Sequence, residues 1–112
     1  MASVKTVQEF CDRLVAEFHP DKIILFGSHA HGIPREDSDV DLLVVLPFRG
    51  KGMQKAVEIR NRVRAGFPLD LIVRTPEQIR RRLALNDFFI REAVEKGKVL
   101  YEASHTGVDQ KS

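Results

Sequence analysis

Apolar positions along the chain change their spacing several times, and each change marks an element. Across residues 4–18, VKTVQEFCDRLVAEF, the residues Val7, Phe10, Cys11, Leu14 and Phe18 recur at helical spacing, which predicts an amphipathic helix. Thr6 with Glu9 offers a capping box at its start, and Ser3 is an equal candidate for the cap. His19-Pro20 ends it. The short runs KIILF (22–26) and DVDLLVVL (39–46) are rich in apolar and β-branched residues and predict buried strands. Residues 51–65 predict a second helix with Met53, Ala56, Val57 and Val63 inward, closed by Gly66. LDLIVR (69–74) predicts a third strand.

Thr75-Pro76-Glu77-Gln78 then carries a helix start: threonine as N-cap, proline at the first helical position, glutamine reaching back. Asn86 is the expected cap of a further helix over 87–96, which Gly97 ends, and KVLYE (98–102) predicts the last strand. The final stretch ASHTGVDQKS has no periodicity, so the reading is one domain over 1–102 and a frayed tail over 103–112. The order α-β-β-α-β-α-α-β implies a small α/β fold, a mixed β-sheet flanked by helices. The link between the first two strands is too short for a parallel crossover, so these strands are expected to be antiparallel, joined by a loop with a single helical turn.

Composition narrows the classes. The chain has 112 residues, 43% of them hydrophobic and 30% charged, with a net charge of +2. That length suits one core and leaves no room for a second substrate-binding lobe. The charge is compatible with an anionic ligand but does not call for nucleic acid, and no direct nucleic-acid contact is expected. The single cysteine, Cys11, rules out an internal disulfide and reads as core packing. The opening MASVKTVQEF mixes charges among its apolar residues, unlike a secretory leader. No apolar run approaches the roughly 20 residues that span a bilayer. A cytoplasmic location without membrane attachment is the expectation.

Chemistry concentrates between residues 27 and 41. Gly27 to Gly32 has the glycine spacing of a P-loop, but Ile33-Pro34 follows where lysine and a hydroxyl residue would be needed. What remains is a strand leading to a glycine, with Ser28 opening a turn of helix. Free backbone N–H groups there can hold a phosphate. Asp39 and Asp41 stand two apart on a strand, so both project from one face. Two carboxylates that close repel unless a cation neutralises them, and Mg²⁺ takes one or two carboxylates together with phosphate oxygens. Asp70 interrupts the third strand in line with Ile72. If that strand lies beside 39–46, the three aspartates meet.

Plainer readings stand beside these. The aspartate pair can be a strand-start turn, Asp70 an acidic residue on an edge strand, and Ser28 only an N-cap. His29 and His31 read as exposed loop residues, Arg49-Gly50-Lys51-Gly52 as a solvated turn or a phosphate-gripping one. Arg80-Arg81-Arg82 reads as a wet helix face or a meeting point for an acidic partner.

Gly-Ser, ten residues, then Asp-x-Asp resembles the motif of the minimal nucleotidyltransferases, single-domain members of the DNA polymerase β-like superfamily. The resemblance spans about residues 20 to 102, through ILFGSHAHG, SDVDLLVV, the third aspartate in LDLIV, and FIREAVEKGKVLYE. It implies that Gly27 and Ser28 hold the triphosphate of ATP and that Asp39 and Asp41 bind Mg²⁺. Asp70 would complete a metal site and help activate the attacking hydroxyl. Members usually carry arginine in the segment after Gly-Ser, where this chain has His29 and His31. The resemblance also implies a partner: a HEPN ribonuclease toxin, adenylylated by its antitoxin in a hetero-oligomer. Three functions follow as expectations. The first is transfer of AMP from ATP to a hydroxyl of a partner protein. The others are a module that neutralises its partner by occlusion, and a small-molecule nucleotidyltransferase.

Overall fold

Runs too short for helices and rich in valine, isoleucine and leucine become four strands, and the amphipathic runs between them become helices. The computed structural model describes residues 4–27 and 39–103. In order, α1 (Val4–Phe18), β1 (Lys22–Phe26), β2 (Val40–Val45), α2 (Gly52–Arg62), β3 (Leu69–Arg74), α3 (Pro76–Ala84), α4 (Phe88–Lys96) and β4 (Lys98–Glu102) succeed one another. The sheet has the order β3-β2-β1-β4. β1 pairs antiparallel with β2 and with β4, while β2 and β3 are parallel and joined through α2. The mixed sheet flanked by helices is the expected class. The expected helical turn between β1 and β2, the Ser3 cap and the tail from residue 104 all lie outside the described residues.

Alternation along the strands gives the sheet two apolar faces. Ile23, Leu25, Val40, Leu42, Val44, Leu71 and Val73 pack against Phe10, Leu14, Ala56 and Ile59 of α1 and α2. Ile24, Leu43 and Val45 face the other way, toward Ala93 with Ile72 and Ile79. Cys11 is fully buried in the first core. Burial, and secondarily the Asp12 charge, pushes its thiol up to about 12, so it remains a neutral packing group.

Several local expectations are corrected. α1 begins at Val4, so Thr6 lies inside the first turns and does not cap it. α2 stops at Arg62 with Val63 as its C-cap, earlier than Gly66. Its inward face is Ala56 and Ile59, continued by Val63, while Met53 and Val57 are exposed at 80% and 52%. Asp87, not Asn86, caps α4, accepting from the Ile90 N–H at 3.1 Å. Asn86 adopts a left-handed φ of 59°, a conformation its short polar side chain tolerates, and its Oδ1 accepts from Arg91 at 2.8 Å. The Thr75 capping box is present in both directions.

Both sheet edges are guarded. Pro68 and Arg74 turn their carbonyls toward β2, so the alternate carbonyls of β3 face the open edge. Arg60 donates to Leu69 O at 2.6 Å and Arg74 Nη1 to Val73 O at 2.9 Å, occupying two of them. The β1–β4 register shifts between Ile23 and Ile24, which irregularises the opposite edge strand.

Gly97 joins α4 to β4 with an ordinary φ of −74°, but it has no space for a side chain. An added Cβ would meet Leu25 O at 2.9 Å and press still closer on Ala93 O and Ile24. Gly97→Ala is therefore expected to lower unfolding free energy by about 1–3 kcal/mol through overpacking. Gly66→Ala, with nothing within 4 Å, should leave stability unchanged or raise it by up to about 1 kcal/mol. Urea denaturation midpoints of the two variants check the contrast.

Candidate active site

β2 enters the sheet through its aspartates. Val40 is buried under α1 and α2, so alternation turns its neighbours Asp39 and Asp41 to the opposite face. Asp39 is exposed and Asp41 half-buried. In the parallel ladder Asp41 is the register partner of Asp70 on β3, and Phe26 of β1 is its partner on the other side. Asp70 is exposed between buried Leu69 and Leu71. The three carboxylates thus occupy one end and one face of the sheet, at the starts of two parallel strands.

Gly27 completes this end. It follows Phe26 with φ +77°, a region that a side-chain-bearing residue enters only under strain. A Cβ placed there would fall on the Asp41 carboxylate, with Cγ only 3.0 Å away. The glycine is required twice, by its backbone angle and by the carboxylate lying against it. Ser28, His29 and His31 lie outside the described residues.

Two phenylalanines form a wall that the sequence reading did not single out. Phe26 and Phe89 meet edge to face with centroids 5.4 Å apart. With Gly27, Glu92 and Ala93 they line a cavity of about 230 Å³. The available signal was the spacing of Phe89, Glu92 and Ala93 on one helix face, together with an aromatic immediately before the glycine. Arg81 and Arg82 do not reach this end; they lie with Arg74 at the opposite end of the strands.

Aspartate oxygens are the donors that a hard divalent cation prefers, and Mg²⁺ is commonly held by one or two carboxylates plus phosphates and water. Among the described residues no group of three or more His, Cys, Asp and Glu side chains is assembled to hold a metal ion. The aspartates offer an open, carboxylate-lined end that suits a cation bringing some of its own ligands.

The nucleotidyltransferase domain family has a model that matches residues 4–100. A Methanocaldococcus jannaschii protein named "Putative protein adenylyltransferase" is 30% identical over 105 residues, covering 90% of this chain and 100% of that protein. Among solved structures, a "putative nucleotidyltransferase" from Sulfolobus solfataricus superposes with a TM-score of 0.62 at 19% identity, covering 88% of this chain and 78% of the other. A toxin–antitoxin structure with AMP-PNP gives a TM-score of 0.53 at 20% identity, covering 88% and 75% respectively. At these identities the two structures speak for the shared fold.

The contact between Gly27 and Asp41 generates a double-mutant test. Gly27→Ala should lower unfolding free energy by about 2 kcal/mol, from backbone strain and collision with the carboxylate. Adding Asp41→Ala removes the collision, so the pair should be less destabilised than the sum of the single changes. Strict additivity in chemical denaturation would show that the two residues do not touch.

Proposed function

Because the chain belongs to the nucleotidyltransferase domain family and is itself a nucleotidyltransferase, we propose that it transfers AMP from ATP to a hydroxyl of a partner protein. The carrying observation is the sheet end at which Gly27 abuts Asp41 beside Asp70. In this reading Gly27 lets backbone N–H groups approach the triphosphate, and Ser28 adds its hydroxyl. Asp39 and Asp41 hold Mg²⁺, with Asp70 completing a metal site. When bound, the metal neutralises triphosphate charge that the aspartates would otherwise repel. The acceptor oxygen forms a bond to the α-phosphorus as the bond to the bridging oxygen breaks, and pyrophosphate departs. Asp70, exposed at the rim, receives the proton of the attacking hydroxyl.

A protein acceptor is favoured by what surrounds this end. Among the described residues, the cavity beside Gly27 is about 230 Å³, below the usual range for small-ligand pockets, about 300–1,000 Å³, which suits an acceptor that brings its own surface. Phe89, which lines the cavity, and its neighbour Phe88, exposed at 48% and 74%, supply apolar surface there for a docking partner. The protein adenylyltransferase name of the archaeal relative and the toxin–antitoxin pairing of a structural neighbour support the same reading. The partner class suggested by the sequence motif is a HEPN-type toxin, bound as a hetero-oligomer.

Incubation of the chain with Mg²⁺-ATP and the protein encoded beside it, followed by intact mass spectrometry, tests the proposal. AMP additions to the partner are expected, lost in Asp41→Asn while circular dichroism shows the fold retained. A tight complex without added mass, and neutralisation that survives Asp41→Asn, would overturn transfer in favour of occlusion. ATP binding with equal affinity in Mg²⁺ and in EDTA would overturn the metal assignment.

A further inference from the structure

The far end of β2 and β3 holds a larger cavity, of about 610 Å³, whose charged lining is wholly cationic. Lys51 reaches it from the turn after β2, Arg74 from the end of β3, and Arg81 and Arg82 from α3. Arg82 is tied to Asp87 at 3.3 Å, and Arg74 spends one nitrogen on Val73 O. Among the described residues, the Lys51 and Arg81 side chains have no ion-pair or hydrogen-bond partner. Gln78 contributes its amide to the same wall while its Oε1 serves the α3 cap.

A solvated helix face would spread such charges apart, each turned to water. Here three separate segments bring four of them onto one concavity, and among the described residues only Arg82 has a carboxylate to offset it, so the others repel until an anion joins them. The start of α2 adds donors: Lys51 provides no side-chain cap, and no acidic residue stands in the first turn, so its N–H groups remain open to an anion. Gly52 lets that helix start sit directly on β3. A Cβ there would stand 2.6 Å from Val73 O and 3.2 Å from Arg74 Nη1.

We propose that this cavity is a second anion site that takes a compact polyphosphate, separate from the aspartate end. Its volume lies within the usual range for small-ligand pockets, about 300–1,000 Å³. Planar guanidinium forks match phosphate oxygens two at a time. The site carries no chemistry of its own and does not depend on what the aspartate end transfers. The phosphates can come from a free polyphosphate or from a nucleic-acid backbone.

Calorimetric titration of the full chain with sodium tripolyphosphate in EDTA tests the site while metal-dependent binding at the aspartates is suppressed. Saturable one-to-one binding is expected, weakened about tenfold or more by Lys51→Ala or Arg81→Glu through loss of a charge-assisted contact. Both side chains are exposed, so melting temperatures should hold. Amide NMR shifts should gather at residues 50–53 and 78–82. A short RNA oligonucleotide that displaces tripolyphosphate from these residues identifies the backbone source; failure to displace it identifies a free polyphosphate. Absence of saturable binding, equal affinity in both variants, or shifts confined to Gly27 and Asp41 overturns the proposal. Stronger binding of oligoglutamate than of tripolyphosphate also overturns it, in favour of an acidic protein surface.

Discussion

Parallel pairing of β2 with β3 holds Asp41 beside Asp70 at the mouths of two strands that are otherwise largely apolar. Left to themselves, neighbouring carboxylates would separate. They cannot, because a slip of one residue would turn Leu42, Val44, Leu71 or Val73 out of the core beneath α1 and α2. Burying one such side chain is worth about 1.5–3 kcal/mol. Repulsion between two solvated charges is nearer to 1 kcal/mol at about 4 Å. Core packing therefore wins by a wide margin, and the acidic end is held in place by residues that take no part in its chemistry.

The same crossover gives the sheet its polarity. α2 must carry the chain from the end of β2 back to the start of β3, so both strands run in one direction. Their starts carry Asp41 and Asp70, and their ends lead into Lys51 and Arg74. A formal net charge of +2 hides this local division at the two ends of the parallel pair. For a nucleotidyltransferase whose substrate is an anion, the distribution matters more than the sum.

What the sequence disclosed followed the range of the interactions involved. Thr75 to Gln78 was readable because a capping box is completed within four residues. The strands and the antiparallel β1–β2 pair followed from apolar runs and link lengths, whereas the meeting of Asp41 with Asp70 depended on β3 lying beside β2, which only the ladder decides. The inward face of α2 was misassigned because Met53 and Val57 are apolar yet exposed, while Ile59 meets the sheet. Asp87 displaced Asn86 as a cap because Asn86 enters the left-handed region and turns its side chain to Arg91. The Phe26–Phe89 contact and the cationic cavity join segments far apart in sequence, so a local pattern can mark one side of such a meeting but not its partner. Gly27 was expected near phosphate for its freedom of backbone; its collision course with Asp41 needed the register of β1 on β2.

The two arginines laid along the rim of β3 have a consequence for crowding. An unprotected edge is a template on which identical chains stack, and its danger grows with concentration. Arg60 and Arg74 each cover a carbonyl that an incoming strand would need, and each does so with a charge that repels its counterpart on an approaching copy. The far edge offers an interrupted ladder instead. A four-stranded sheet finished in this way gives an approaching copy a poor template at either edge.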